Sequence, residues 1–191
     1  LEGVSLERIA NEVGTPTYIY SAKSFNKQFR ELKKAFKGVD SKIFYSVKAN
    51  SNVNIISLFN QLDSGFDIVS GGELHRVVAA GAAPQAIIFS GVGKSVSEID
   101  LALKVGIDCF NIESAPELDR IIERSRVLGK KPDISVRINP DIDALTHPYI
   151  STGLKENKFG VDRVSALKLF KSAQDSKYVE LVGIDAHIGS Q

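Results

Sequence analysis

Several things are scarce in this sequence, and each scarcity excludes something. One cysteine, Cys109, occurs in 191 residues. An internal disulfide is therefore impossible, and a single thiol suits a reducing cytoplasm. There is no methionine, so the first residue is not expected to be a native start. No apolar run approaches the roughly 18 residues that a membrane-spanning helix needs. The opening stretch LEGVSLERIANEVG mixes charged and apolar residues and does not read as a secretory signal. An excess of one charge is also missing. The 24 Lys and Arg against 23 Asp and Glu leave a net charge of +1, which gives no basis for a nucleic-acid or membrane surface. Low-complexity stretches, long charge blocks and obvious linkers are absent as well. What remains is 43% hydrophobic and 25% charged, the proportions of a globular chain. The length suits one large domain, or one domain and part of another.

What is present is alternation. Short runs rich in β-branched and aromatic residues recur at IFYSVK (43–48), FDIVS (66–70), AIIFSG (86–91), DCFNIE (108–113), ISVRINP (134–140) and ELVGIDAHI (180–188). Between them lie VNIISLFNQL, ELHRVVAAG, SEIDLALKVG, APELDRIIERSRVLG and VSALKLFKSAQ, with apolar residues three and four apart. Gly81 and Gly106 end two of these and are placed for left-handed caps. Strands alternating with helices imply parallel pairing. Six such units without a nucleotide-binding glycine turn favour an α/β fold of the (β/α)₈ TIM-barrel type over an open doubly wound sheet, which stays possible on pattern alone. A full barrel needs eight units. The expectation is a partial barrel with about six, over residues 41–191, after an N-terminal extension over residues 1–40. TPTYIY (15–20) is a strand candidate that could belong to another domain.

Splitting each strand into its two faces separates apolar from polar sets. Ile134, Val136 and Ile138 oppose Ser135, Arg137 and Asn139. Phe110 and Ile112 oppose Cys109, Asn111 and Glu113. Tyr45 and Val47 oppose Ser46 and Lys48. Val182, Ile184 and Ala186 oppose Gly183, Asp185 and His187. The apolar sets suit packing under helices. The polar sets would point into the barrel and become ionisable toward its C-terminal end, where barrel enzymes keep their chemistry. Buried charges need partners, so these ends suggest one shared site. An internal salt-bridge network plugging the mouth is the alternative.

Individual motifs are weaker. Lys48 ends a strand, and a desolvated lysine amine can attack an aldehyde; a strand-end lysine can equally be salt-bridged. SGGEL (70–74) places two glycines at a helix start, where backbone N–H groups can meet an anion. GVGKS (91–95) is not a Walker loop, because Ile88 stands where that loop requires glycine; a turn with a helix cap at Ser95 fits better. In HIGSQ (187–191), His187 could stack on a flat ring, and the hydroxyl and amides could hold a phosphate. Asp141, Asp143 and His147 form an acidic loop that completes no metal-ligand set, and no metal is expected. Cys109 reads as core, and His75 as an ordinary helix residue.

Together and in order, FYSVKANSN, GFDIVSGGEL, FSGVGKS, FNIES, VRINPDIDALTHPYISTGLKENKFG and HIGSQ resemble successive blocks of the barrel-type pyridoxal-phosphate decarboxylases, the alanine-racemase-like family of fold type III. The resemblance runs from about Ser5 to Gln191. It implies pyridoxal 5'-phosphate as cofactor and Lys48 as the Schiff-base lysine. It implies that His187 stacks on the pyridine ring and Ser190 binds the phosphate. Asp67, Glu73 and Arg137 match positions that support the lysine and the cofactor. Lys158 resembles a lysine at a homodimer interface. THPYISTG, NKFG and HIGSQ look most like the members that convert meso-diaminopimelate to L-lysine in lysine biosynthesis. A sister enzyme acting on ornithine or another diamino acid is an alternative, as is a non-catalytic cofactor-binding or regulatory barrel; a racemase fits the blocks poorly. The family pattern also needs a later glycine-rich phosphate loop, an acid for the ring nitrogen, an Arg, and a Cys and Tyr from a C-terminal β domain. The sequence shows none of these, so the last barrel strands and the β domain are expected to be absent, and the 191 residues alone inactive.

Overall fold

A computed structural model describes residues 1–142 and 159–187. Six strands form one sheet: β1 (Phe44–Ser46), β2 (Gly65–Ile68), β3 (Ile87–Phe89), β4 (Cys109–Ile112), β5 (Asp133–Arg137) and β6 (Glu180–Asp185). They pair in strict sequence order, and every pair is parallel. A doubly wound sheet reverses its strand order at a switch point. This one never does, so the chain winds in one direction as a barrel does. The expected partial barrel is therefore the observed architecture.

The crossovers are helical. α1 (Leu6–Val13) and α2 (Ala22–Ala35) precede the sheet. Then α3 (Val53–Gln61), α4 (Gly71–Ala79), α5 (Val96–Val105), α6 (Ala115–Leu128) and α7 (Arg163–Asp175) each lead into the next strand. The expected helix signals hold. Ser70, Ser95 and Ser114 accept from the amide three residues on, and Asp162 caps α7 in the same way. Ser95 and Glu98 form a full capping box. Gly106 caps α5 in the left-handed region, and Gly81 takes a positive φ just past the end of α4.

The apolar faces make the core. Phe66, Ile68, Ile87, Phe89, Phe110, Ile112, Ile134 and Val136 are fully buried. They meet in register across the sheet, as Phe89 against Phe110 and Ile112 against Val136. Burying one such side chain contributes about 1.5–3 kcal/mol, so these strands supply much of the stability. Helix α2, which the periodicity reading does not single out, joins this layer. Its Phe25 and Phe29 pack edge-on against Phe59 of α3, and Tyr45 stacks on the same ring at 4.1 Å.

Two expectations fail. TPTYIY forms no strand, and Tyr18 is 90% exposed. Pro16 lacks an amide donor, and the segment pairs with no strand of the sheet. On β6, the alternation predicts Val182 and Ile184 under helices, but they are 54% and 66% exposed. In a βα unit, the covering helix follows its strand, and among the described residues no helix follows β6.

Between α5 and α6, Arg124 grips Asp100 with both arms, at 2.6 and 2.7 Å. That fork holds the Asp100 carboxyl below its usual range. A depressed acid stabilises the fold fully above its unfolded pKa of about 3.9, and the contribution is lost as pH falls through the lower folded value. Asp100→Asn is therefore expected to unfold earlier than wild type at neutral pH, with the gap closing in strong acid. Urea midpoints measured across pH read this directly, and a gap that widens in acid contradicts it.

Candidate functional site

The C-terminal ends of the strands converge. Ser46 ends β1, and Lys48 sits in the 3-10 turn Val47–Ala49 that follows. Asp67 lies on β2, Ser90 and Gly91 just beyond β3, and Asn111 on β4. Arg137 and Asp185 are the last residues of β5 and β6, and His187 is two residues further. With Phe44, Val69, Ile88 and Phe159 they enclose a cavity of about 640 Å³. That is the size of a small-molecule site.

Its floor is a chain of hydrogen bonds running from strand to strand. Ser135 Oγ donates to Asn111 Oδ1 at 2.6 Å, and Asn111 Nδ2 donates to Ser90 Oγ at 2.9 Å. Ser90 Oγ donates to Asp67 Oδ1 at 2.6 Å, and Ser46 Oγ donates to Asp67 Oδ2 at 3.1 Å. Every donor points toward Asp67. Chains in one direction polarise each bond in turn, so the Asp67 carboxylate is anchored from both sides. Four strands supply the donors and acceptors because parallel register brings Ser46 beside Asp67 and Asn111 beside Ser135.

The wall is ionic. Arg137 lies between Glu113, with Nη1 to Oε1 at 3.2 Å, and Asp185, with Nε to Oδ2 at 3.9 Å. Its guanidinium also sits 5.1 Å from the centre of the Phe159 ring. Glu113 further accepts the backbone N–H groups of Gly91 and Gly160. Gly160 has φ +71°, and a Cβ there would stand 3.0 Å from the Asn139 nitrogen; only glycine lets this backbone come so close. Burial pushes the Asp185 carboxyl up against the opposing pull of Arg137. Burial, then Arg137 and Lys48, pushes the half-buried His187 imidazole down, so His187 favours its neutral form near pH 7.

Lys94, the lysine of GVGKS, is buried behind this wall. Its ammonium donates to Gly91 O and Asn111 O, both at 2.8 Å, and to Glu117 Oε1 at 2.6 Å. All three N–H donors are used, which makes it a structural cation joining the β3–α5 loop to β4 and α6.

Of the residues singled out from sequence, Lys48, Asp67, Arg137 and His187 share the one cavity. Glu73 does not line it. Its Oε2 accepts the Val69 N–H at 2.8 Å, and burial raises its carboxyl. Ser190 and Lys158 lie outside the described residues, as do Asp143 and His147. The first glycine at the start of α4 is already served, because Gly71 N–H donates to Glu98 Oε1 at 2.7 Å. The anion at that helix start is the chain's own carboxylate. Cys109 is half-buried at the edge of the core rather than within it, and burial pushes its thiol up to about 12. An ion-pair network does line the barrel mouth, but it forms one wall of a cavity rather than a plug. Ser90, Glu117 and Lys94 are functional neighbours that sequence reasoning passed over; the polar-face split does mark Asn111 and Glu113.

Residues 22–191 match the family described as pyridoxal-dependent decarboxylase, pyridoxal binding domain. The chain is 51% identical over 190 residues to the diaminopimelate decarboxylase of Neisseria meningitidis serogroup A, covering 100% of this chain and 47% of that protein. It is 49% identical to the enzyme of that name from Pseudomonas aeruginosa, over 100% of this chain and 46% of that one. The crystal structure of Helicobacter pylori diaminopimelate decarboxylase complexed with L-lysine superposes with a TM-score of 0.95 at 50% identity, over 98% of this chain and 48% of that chain. The chain thus spans about half the length of the curated relatives it matches.

Proposed function

This chain belongs to the pyridoxal-dependent decarboxylases, as their pyridoxal-binding domain, and on that premise we propose that it tethers pyridoxal 5'-phosphate through Lys48 and serves a full-length enzyme that decarboxylates meso-diaminopimelate to L-lysine. The observation that carries this reading is the single cavity shared by Lys48, Asp67, Arg137 and His187.

The cavity fits such a group. It is large enough for a substituted pyridine, offers the Lys48 amine, and places a neutral imidazole and a fixed guanidinium on its wall. The chemistry the cofactor supplies when bound is a sink for the electron pair left as carbon dioxide departs. The protein's part is orientation and a fixed charge environment. Lys48 Nζ would be the group that holds the cofactor through its aldehyde. His187 offers a flat uncharged face. Arg137 presents a cation to an anionic group, and the anchored Asp67 gives the floor a fixed negative charge. Phe44, Ile88 and Phe159 give the cavity apolar walls beside the amine, which stays open to solvent.

The resemblance adds Ser190 for the phosphate, Glu73 in support of Lys48, and Lys158 at a homodimer interface. Residues 1–40 are proposed as an extension partly covered by a β domain. The exposure of Leu6, Val13, Tyr18 and Tyr20 supports this. Among the described residues no helix is long and apolar enough to cross a membrane, and a cytoplasmic setting belongs to the same proposal.

Release of labelled carbon dioxide from carboxyl-labelled meso-diaminopimelate by the full-length protein tests the reading. Release from ornithine instead would reassign it to a sister enzyme. Cofactor binding with no release from any diamino acid would favour the non-catalytic barrel. A polypeptide of these 191 residues alone is expected to release none.

A further inference from the structure

Glu113 follows β4 directly and is 5% exposed. Its carboxylate has three donors from three segments. Oε1 accepts Gly91 N–H at 3.0 Å and Arg137 Nη1 at 3.2 Å; Oε2 accepts Gly160 N–H at 3.1 Å. Its own N–H donates to Glu117 Oε2 at 2.8 Å, and Lys94 holds the other oxygen of Glu117. Glu113 is thus fixed at both ends. It does not line the cavity, whereas Arg137 does. A buried, fully bonded carboxylate behind a cavity-lining cation is a device for holding that cation still. Charge-assisted bonds are the strong ones, and a long side chain otherwise loses its orientation to rotamer entropy.

We propose that Glu113 is a positioning residue for this site: it fixes the Arg137 guanidinium against the cavity wall and, through that cation, governs the charge state of His187. The charged groups facing His187 are Arg137 from β5, Lys48 from the turn after β1, Asp67 from β2 and Asp185 from its own strand. The two cations favour the neutral imidazole, and the two carboxylates oppose them. Glu113 adds a compensating charge on the far side of Arg137. Without it, the cation is less neutralised and free to swing toward Asp185. The imidazolium is then harder to form. Without Arg137, it is easier to form. A mere packing defect behaves differently: it admits water and raises the imidazole pKa in either variant.

The test is an NMR titration of His187 in the full-length protein without cofactor, so it does not depend on turnover. Glu113→Gln is expected to lower the His187 pKa by about half a pH unit, and Arg137→Gln to raise it by about as much. Glu113→Asp keeps the charge and should stay near wild type. A rise in Glu113→Gln, or no movement, overturns the proposal. If Glu113→Gln does not fold, Glu113→Asp decides: a rise matching that of Arg137→Gln overturns it. The consequence for catalysis rests on the function proposed above. With meso-diaminopimelate, Glu113→Gln should lower kcat/KM on the order of ten- to a hundredfold. Opposite shifts in the two titrations, with no carbon dioxide released by wild type, would sink the proposed function and leave the positioning role standing.

Discussion

Lys48→Ala in the full-length protein is expected to abolish the visible absorbance that a lysine-linked cofactor gives, and to lower kcat by on the order of 10³-fold or more. The expectation comes from position. Lys48 is carried by a single turn directly after β1, and its amine faces a cavity built from the ends of the other strands. It forms no ion pair within 4 Å among the described residues. Among the described residues, the other lysine near the site, Lys94, has every donor engaged. Truncation at Lys48 therefore removes the one available amine that the described residues bring to the cavity, while leaving the core untouched. The unfolding midpoint should stay close to that of wild type. Retained absorbance at a normal midpoint would show that another group holds the cofactor.

Lys94→Met should have the largest effect on stability. Lys94 is 3% exposed and its partner Glu117 is 4% exposed. Removing one partner of a buried ion pair leaves the other charge without compensation and costs about 3–5 kcal/mol. It also leaves Gly91 O and Asn111 O without a donor. A large drop in the urea midpoint at unchanged slope would report this. Adding Glu117→Gln removes the stranded charge and still leaves an oxygen for the Glu113 N–H. The double variant should therefore be more stable than Lys94→Met alone. A single variant within about 1 kcal/mol of wild type would mean that the pair contributes little to holding the loop.

The strands and crossovers were readable because burial on one face imposes a period, and the runs at 43–48, 66–70, 86–91, 108–113, 134–140 and 180–188 all carry it. Strand order was not readable, since an open sheet and a barrel give the same alternation; the unbroken β1-to-β6 order settles it. TPTYIY misled because β-propensity expresses fit to a sheet, and the segment has none beside it. The face split found Lys48, Asp185 and His187 from alternation alone, and resemblance added Asp67; Glu73, also drawn from resemblance, lies outside the cavity lining. Lys94 was hidden. In sequence it is a lysine in a glycine turn, and only the tertiary approach of Asn111 O and Glu117 makes it a buried cation. Glu113 was visible as a polar-face residue, but its three donors come from segments up to 47 residues away, a relation that no local pattern encodes.

The central claim is that Lys48 holds the cofactor. Incubating the full-length protein with pyridoxal phosphate, reducing with borohydride and mapping the modified peptide tests it most directly. The label is expected on Lys48, within the peptide that contains FYSVKANSN. Label on Lys94, or on any other lysine, would contradict the account.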